Sequence, residues 1–290
     1  MAGTAGRAVA SLWRASRQEA AGAARSAGVD RSGLLRTIER EIIPRLVLAH
    51  RGMGLSPAGG ECAVSADHVG ELVHLVLDGD ADAVIAFVRK LHRDGLGYES
   101  IYLDVVTPVA RRLGDMWLSD ECDFSGVTLG VWQLQRVLHE CSAGFHAERA
   151  AAHSGGRILL AAMPGEQHTF GVSMLSEFFR RAGWQVTELP SVRAAELVAA
   201  VGRGSFDVVG LSLSSELKLD ALGTLIRELR RAAGRGALGI MVGGPVFLDR
   251  PDAAIRVGAD ASARDARSAV ALAQDLLGAL GLPLRAASGC

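Results

Sequence analysis

From about residue 155 onward, short apolar segments alternate strictly with helical segments, and this alternation restricts the fold more than any other feature of the sequence. It is typical of a doubly wound parallel sheet with helices on both faces. We therefore predict a Rossmann-like α/β domain over residues 155–283, with a short tail at 284–290. The predicted strands are 157–163, 185–189, 206–213, 237–242 and a weaker one near 259–263, and the predicted helices are 171–183, 192–202, 216–233, 251–257 and 265–280.

The segment before this domain, residues 65–154, has a helical period throughout. Apolar residues recur every three or four positions, and only short connections separate the helical stretches. Short connections between amphipathic helices indicate an antiparallel four-helix bundle. The predicted fold class is thus α/β, an N-terminal four-helix bundle cap followed by a parallel-sheet domain, and the four cap helices are predicted at 66–80, 81–95, 97–117 and 124–153.

The first 64 residues contain two further segments. Residues 1–31 are rich in Ala, Gly, Ser and Arg, which predicts a flexible basic arm that either contacts an acidic partner or has no function. Residues 32–52 carry the pattern of a strong amphipathic helix, and a Gly/Pro linker extends to residue 64. We expect the apolar face of that helix either to pack into the core or to dock onto a partner protein.

Composition excludes several classes of protein. The formal net charge of −1 excludes a protein that binds nucleic acid through its overall charge. No apolar run approaches the roughly 18 residues that a membrane span needs. The four cysteines form no C-x-x-C pair and no zinc-ligand spacing, so we expect reduced thiols in a cytoplasmic protein.

A histidine stands in the loop GEQHTFG, between the first predicted strand and the helix that follows it. Open α/β sheets bind their ligands at the carboxyl ends of strands, so His168 occupies a ligand-binding position. Glu166, two residues earlier, can hold one ring nitrogen and leave the other free for a metal. Gly171 allows the backbone to pass close to a large group. This loop is our principal candidate site.

Two other strands end in residues that suit the same site. Ser212 and Ser214 follow the third predicted strand, and Gly243 and Gly244 follow the fourth. Hydroxyls and glycines around one histidine favour a long cofactor with a polar tail. The first loop has no G-x-G-x-x-G and no G-K-[ST], which argues against a dinucleotide site and a P-loop.

The three segments together resemble the signature of base-off, His-on cobalamin-binding domains. GEQHTFG is similar to D-x-H-x-x-G, with Glu166 in the aspartate position, GLSLSS to the S-x-L segment, and VGGPVF to the G-G segment. The resemblance implies cobalamin as the cofactor, with an adenosyl, methyl or hydroxo upper ligand. It also implies that His168 is the metal ligand, that Glu166 orients it, and that the cofactor's tail is lined by Ser212, Ser214, Gly243 and Gly244.

The predicted bundle resembles the helical cap of methionine synthase, corrinoid methyl carriers and the cobalamin photoreceptor CarH. Those caps carry a tryptophan followed, after nine residues, by Glu-His. Trp117 matches the tryptophan, whereas the Glu-His positions hold Val127 and Thr128. The resemblance implies that these three residues cover the upper face of the cofactor. The missing pair argues against methyl-carrier chemistry.

Over about residues 33–283 the chain is most similar to the AerR/PpaA antirepressors of photosynthetic bacteria. That resemblance implies a light-responsive cobalamin protein that is not an enzyme and that acts on a transcriptional repressor of the PpsR/CrtJ type. DNA is then contacted only through the partner, because residues 1–64 lack the hairpin and recognition helix of a winged-helix domain. The alternatives are a corrinoid methyl carrier of a methyltransferase system, a cobalamin mutase subunit, or a haem sensor that uses His168.

Overall fold

A computed structural model of the chain describes residues 64–148, 155–189, 191–234 and 237–281. All of them lie in one compact unit, Cys62–Cys290. The predicted basic arm, the predicted helix 32–52 with its linker, and the tail 284–290 lie outside the described residues. None of the described helices is both long and apolar enough to cross a membrane.

Residues 64–148 form a helical domain, called the cap below, which confirms the predicted bundle. Side chains at the helix starts bond the free N–H groups of the first turns: Ser65 accepts from the N–H of His68, and Asp123 from that of Gly126. Gly79, with a φ of 81°, ends the first helix. The elements are α1 (Ala66–Asp78), α2 (Ala81–Arg93), α3 (Tyr98–Ser100), a π-helical segment (Ile101–Val106), α4 (Thr107–Leu118) and α5 (Phe124–Ala147).

The π-helical segment corresponds to the middle of the predicted helix 97–117. Pro108 has no N–H and cannot continue the regular ladder. Just before it, the Thr107 N–H donates to the carbonyl of Tyr102, five residues back, and the Thr107 hydroxyl donates to the same oxygen at 2.8 Å. The wider turn places four residues in the cap core, each 0% exposed: Ile101, Tyr102, Val105 and Val106.

Residues 155–281 form a five-stranded parallel sheet in the order β2-β1-β3-β4-β5. The doubly wound domain predicted from the sequence is confirmed, with strands slightly shorter than expected. The strands are β1 (Arg157–Ala162), β2 (Gln185–Leu189), β3 (Val208–Ser212), β4 (Gly239–Gly243) and β5 (Ala261–Ser262). The helices are α6 (Phe170–Arg181), α7 (Ala194–Arg203), α8 (Leu219–Ala233), α9 (Pro245–Asp249), α10 (Ala253–Val257) and α11 (Ala266–Ala279), with a 3₁₀ turn at Glu216–Lys218.

Helix α6 packs against both the sheet and the cap. Its Val172 and Phe179 lie in the core cluster under one face of the sheet. Its Met174 and Phe178 belong to the core cluster of the cap. The rings of Phe178 and Phe145 in α5 are 4.9 Å apart and tilted by 60°, a geometry that favours aromatic pairs. One helix therefore connects the two domains through apolar contacts on opposite sides.

Polar contacts fasten the cap beside the same helix. Glu99 in α3 lies 2.9 Å from Arg181 at the end of α6 and also pairs with Arg267 in α11. His146 in α5 lies 3.3 Å from the carboxylate of Glu177 in α6. These contacts reach from the middle of the cap's chain segment and from its C-terminal end to the parallel-sheet domain, so polar contacts hold the cap as well as its apolar core.

Candidate functional site

Four loops meet at the carboxyl edge of the sheet, as expected for parallel strands. Backbone hydrogen bonds continue the ladder beyond the strand ends: the Met163 N–H donates to Ser212, the Leu213 N–H to Gly243, and the Ala263 N–H to Val242, at 2.8 to 3.0 Å. The loops after β1, β3, β4 and β5 are thereby held side by side. Residues far apart in the sequence, such as those near 166, 214 and 244, come together at this edge.

A tight turn places His168 at the rim of this edge. Gly165 has a φ of 76°, and the Glu166 N–H donates to the Met163 carbonyl at 2.8 Å. The side chain of His168 is 73% exposed. Its Nδ1 lies 3.0 Å from the hydroxyl of Ser214 and 3.5 Å from Oε2 of Glu166. The hydroxyl is therefore the nearer partner of the ring.

These contacts determine the tautomer of His168. The Glu166 carboxylate only accepts hydrogen bonds, so the Ser214 hydroxyl donates to its Oε2. Because the hydroxyl proton of Ser214 points to Glu166, the Ser214 oxygen can only accept a hydrogen bond from the ring, which it does from Nδ1–H of His168. In the neutral ring Nε2 is then the nitrogen without a proton, with a lone pair available to a metal. Glu166 was predicted to orient the histidine directly, whereas the hydrogen bonds run from His168 to Ser214 and from Ser214 to Glu166.

Glu166 is buried beneath the exposed histidine, with a side chain only 4% exposed. Its second oxygen, Oε1, lies 3.3 Å from the ammonium of Lys218. The angles of this contact do not make a hydrogen bond, so the oxygen is paired through charge alone. Sequence reasoning missed Lys218. The only signal was a lysine four residues after Ser214 in SSELK, in the turn just before α8.

The glycines predicted to line the cofactor differ in whether the fold leaves room for a larger side chain at their positions. Gly244 has a φ of 105°, and a Cβ there would lie 2.3 Å from the Leu213 carbonyl oxygen, so only glycine fits. A Cβ on Gly243 would make an ordinary 3.5 Å contact with the Ala263 oxygen, and one on Gly171 would meet open space. Ser212, at the end of β3, is half-buried.

The cap residues predicted to cover the cofactor lie around the α4–α5 connection. Trp117 is 46% exposed, which argues against a role in the bundle core. Val127 is half-buried, and exposed Thr128 donates its hydroxyl to the Phe124 carbonyl at 2.7 Å. In the described residues, no hydrogen bond, ion pair or aromatic contact joins these three side chains to the His168 loop. The structure therefore groups the predicted residues into a sheet-edge set and a separate cap set.

The donor set fits a metal that brings most of its ligands with it. Within the described ranges, no group of three or more His, Cys, Asp or Glu residues could hold a bare metal ion. A single histidine with a free Nε2 suits a metal already held in a macrocycle. Residues 156–273 match the family described as "B12 binding domain", and a second family of the same description matches residues 69–140. The chain is a cobalamin-binding protein.

Two relatives of this cobalamin-binding protein have matching sequences over most of their length. One is an uncharacterized 20.5 kDa protein in the bchF–crtJ intergenic region of Rhodobacter capsulatus, 27% identical over 167 residues, which are 58% of this chain and 86% of the relative. The other is a corrinoid protein of Desulfitobacterium hafniense (strain Y51), 26% identical over 222 residues, which are 72% of this chain and 96% of that protein.

Among solved structures, the monomethylamine corrinoid protein of Methanosarcina barkeri has the same fold. It matches with a TM-score of 0.63 at 15% identity, over 73% of this chain and 100% of that protein. This likeness shows that the fold of a helical domain followed by a parallel-sheet domain also occurs in a solved corrinoid protein. It supports the predicted order of the two domains.

Proposed function

We propose that this chain is a light-responsive, cobalamin-dependent regulator of transcription that acts by binding a repressor protein and not by catalysis. The observation that carries the proposal is the relationship to the Rhodobacter capsulatus protein, which is encoded between bchF and crtJ and is matched over 86% of its length. The proposed partner, a repressor of the PpsR/CrtJ type, shares its name with one of those two genes. DNA is contacted only through that partner.

His168 is proposed to be the lower axial ligand of cobalt, through Nε2. Ser214 and Glu166 hold the ring in the tautomer that this role requires. Ser212, Gly243 and Gly244 line the path of the cofactor's tail at the neighbouring strand ends. The exposed position of His168, at 73%, leaves the ring accessible to a group as large as a corrin.

The bound cofactor supplies a cobalt–carbon bond that breaks in light when the upper ligand is an alkyl group. On the protein side, the proposed lid is the cap surface around Trp117, Val127 and Thr128. The Thr128 hydroxyl is engaged by the Phe124 carbonyl, so this surface presents apolar groups. An apolar lid fits a cofactor with an organic upper ligand. It lacks the Glu-His pair that methyl carriers use there.

A route from the site to the cap follows from the packing of α6. The helix begins at Phe170, two residues after His168, and carries Phe178 into the cap core. A change in the His168 loop therefore acts on a helix that the cap contacts through both apolar and charged groups. A ligand alters partner affinity only when it favours one conformation, and a coupling of about 1–3 kcal/mol gives a roughly 5- to 150-fold change in affinity.

The test is a pull-down from the native cell with apo protein, dark protein loaded with adenosylcobalamin, and the same loaded protein after illumination. The proposal expects a transcriptional repressor among the captured proteins, in an amount that differs between the dark and illuminated samples. The His168→Ala variant should lose that difference. Removing residues 1–52 should weaken capture while cobalamin binding survives. Equal capture in all three states would contradict the proposal.

A corrinoid methyl carrier is the second candidate. It is favoured by the relationship to the Desulfitobacterium hafniense corrinoid protein, which this chain matches over 96% of that protein's length. The two candidates differ in the captured partner. The carrier would be supported if the pull-down recovered methyltransferase subunits and no transcription regulator in any state. It would also be supported if the protein loaded with methylcobalamin transferred its methyl group to an added thiol acceptor.

A further inference from the structure

Lys218 contacts the site from the loop after β3. Its ammonium lies 3.3 Å from Oε1 of Glu166 and above the turn at Gly165, where a Cβ would lie 3.4 Å away. An ion pair between Glu216 and Arg250, at 3.3 Å, and a hydrogen bond from the Lys218 N–H to the Ser215 carbonyl hold the 3₁₀ turn that carries the lysine. Lys218 is therefore positioned by its own turn.

Glu166 needs such a partner. Its carboxylate is 4% exposed, and only one of its oxygens accepts the Ser214 hydroxyl. A buried charge without compensation is strongly unfavourable. A glutamate also has one more rotatable bond than an aspartate, so contact with Ser214 alone leaves the carboxylate free to turn. A cation at Oε1 both compensates the charge and limits that rotation.

The position of Lys218 is otherwise unfavourable for a cation. It immediately precedes α8, whose N-terminus carries a partial positive charge that disfavours a positive side chain there. Lysine is also rare in this chain: Lys90 is the only other one in the sequence. The contact with Glu166 gives the lysine at this position a role that offsets the cost.

We propose that Lys218 is a positioning residue for the lower axial ligand. Its ammonium fixes Oε1 of Glu166, so that Oε2 is aimed at the Ser214 hydroxyl and that hydroxyl at Nδ1 of His168. The chain Lys218–Glu166–Ser214–His168 then keeps the proton of the neutral ring on Nδ1 and holds the ring in one orientation. This inference rests on the proposed role of His168 as the cobalt ligand and adds a residue that reaches the ring through two others.

The contact itself is testable without cofactor. In protein labelled with ¹⁵N and ¹³C at lysine, the side-chain signals come from Lys90 and Lys218 alone, and Lys218→Met assigns them. Replacing Glu166 with Gln should shift the Lys218 signal and leave that of Lys90, which is exposed on the cap, unchanged. A Lys218 signal that does not respond to Glu166→Gln would overturn the proposal.

The effect on the cofactor is measured by absorbance at fixed pH, with the fraction of His-on cobalamin read at saturation and the dissociation constant read by titration. Loss of an outer residue that orients a metal ligand weakens metal binding about 10- to 100-fold. We expect Lys218→Met to weaken cobalamin binding within that range and to lower the His-on fraction. Lys218→Arg should keep part of the cobalamin affinity and of the His-on fraction that Lys218→Met loses. The matched control Lys90→Met should change neither the affinity nor the fraction.

A double-mutant cycle separates this role from a general loss of packing. If Lys218 acts through Glu166, Lys218→Met should have little further effect on the His-on fraction in the Glu166→Gln background. If the effects of Lys218→Met and Glu166→Gln on the His-on fraction simply added in the double variant, the proposal would be contradicted. His168→Ala, measured in parallel, keeps the two claims apart. If His168→Ala abolishes the His-on spectrum while Lys218→Met matches the unaltered protein, only the lysine's role fails. An unchanged spectrum in His168→Ala refutes the histidine's role itself.

Discussion

Glu99 is the residue whose replacement should most directly loosen the cap. It pairs with Arg181, whose side chain is 10% exposed, and with Arg267, whose side chain is 64% exposed. Exposed ion pairs contribute about 0.2–1 kcal/mol, whereas breaking a buried pair costs about 3–5 kcal/mol. Glu99 is itself 22% exposed, which places its contact with Arg181 between these limits. The Arg267 contact falls in the exposed class.

We therefore expect Glu99→Gln to lower the free energy of cap opening by about 1–3 kcal/mol, with most of the loss due to Arg181. Arg181 keeps its place over the Phe145 ring, 4.3 Å from the centroid, so the loss should not reach the fully buried limit. A fall of that size raises the exchange rate of protected amides roughly 5- to 150-fold, at about 1.4 kcal/mol per factor of ten.

Native-state hydrogen exchange of the apo protein measures this change in α6 and in the second half of α5. The matched control is Glu140→Gln, which removes an exposed 3.3 Å pair with Arg89 inside the cap and should cost less than about 1 kcal/mol. Arg267→Gln should likewise have a small effect. The reasoning is refuted if Glu99→Gln exchanges no faster than Glu140→Gln, or if Arg267→Gln costs as much as Arg181→Gln.

Three further predictions concern separate parts of the chain. Gly244→Ala should lower the thermal midpoint and cobalamin loading together, because its Cβ would lie 2.3 Å from a carbonyl oxygen, whereas Gly171→Ala, whose Cβ meets open space in α6, should not lower the midpoint. Burial raises the pKa of the Cys141 thiol from 9.0 to about 11. The unfolded thiol then ionises first, so the free energy of unfolding should fall between pH 9 and 11 by up to about 1.4 kcal/mol per pH unit, and Cys141→Ala should remove that part of the slope in urea titrations. Trp117→Ala should change the preference among upper ligands or the rate of photolysis more than total cobalamin retention; if binding and photolysis spectra are both unaltered, Trp117 has no part in the lid.

The parallel sheet and the cap could be predicted from the sequence because their patterns are local. Buried strands such as 157–162 are short apolar runs, and the cap helices have a clear helical period with capping residues such as Ser65 and Asp123. Helix α9 was not predicted, because Gly-Gly-Pro is typical of a loop. In the structure Pro245 is the first residue of that short helix, where its missing N–H costs nothing.

The composition of the site was predictable only in part. His168, Glu166 and Ser214 follow strands whose carboxyl ends must share one edge, so their proximity follows from the fold class. The order of the hydrogen bonds does not, because it depends on which side-chain rotamers these two loops allow. The contact joins Lys218 to Glu166, which are 52 positions apart in the sequence. Their spacing does not show that the ammonium of Lys218 lies over the turn at Gly165. The cap's contact with α6 through Glu99 and Phe178 is likewise a tertiary property.

The binding of His168 to cobalt from below can be observed directly in one measurement. The electron paramagnetic resonance spectrum of protein loaded with cob(II)alamin resolves the nitrogen bound on the lower face. ¹⁴N splits each cobalt line into a triplet and ¹⁵N splits it into a doublet. In protein labelled with ¹⁵N-histidine and loaded with unlabelled cobalamin, we expect doublets, which disappear in His168→Ala. Triplets in the labelled protein, or doublets that persist in His168→Ala, would contradict it.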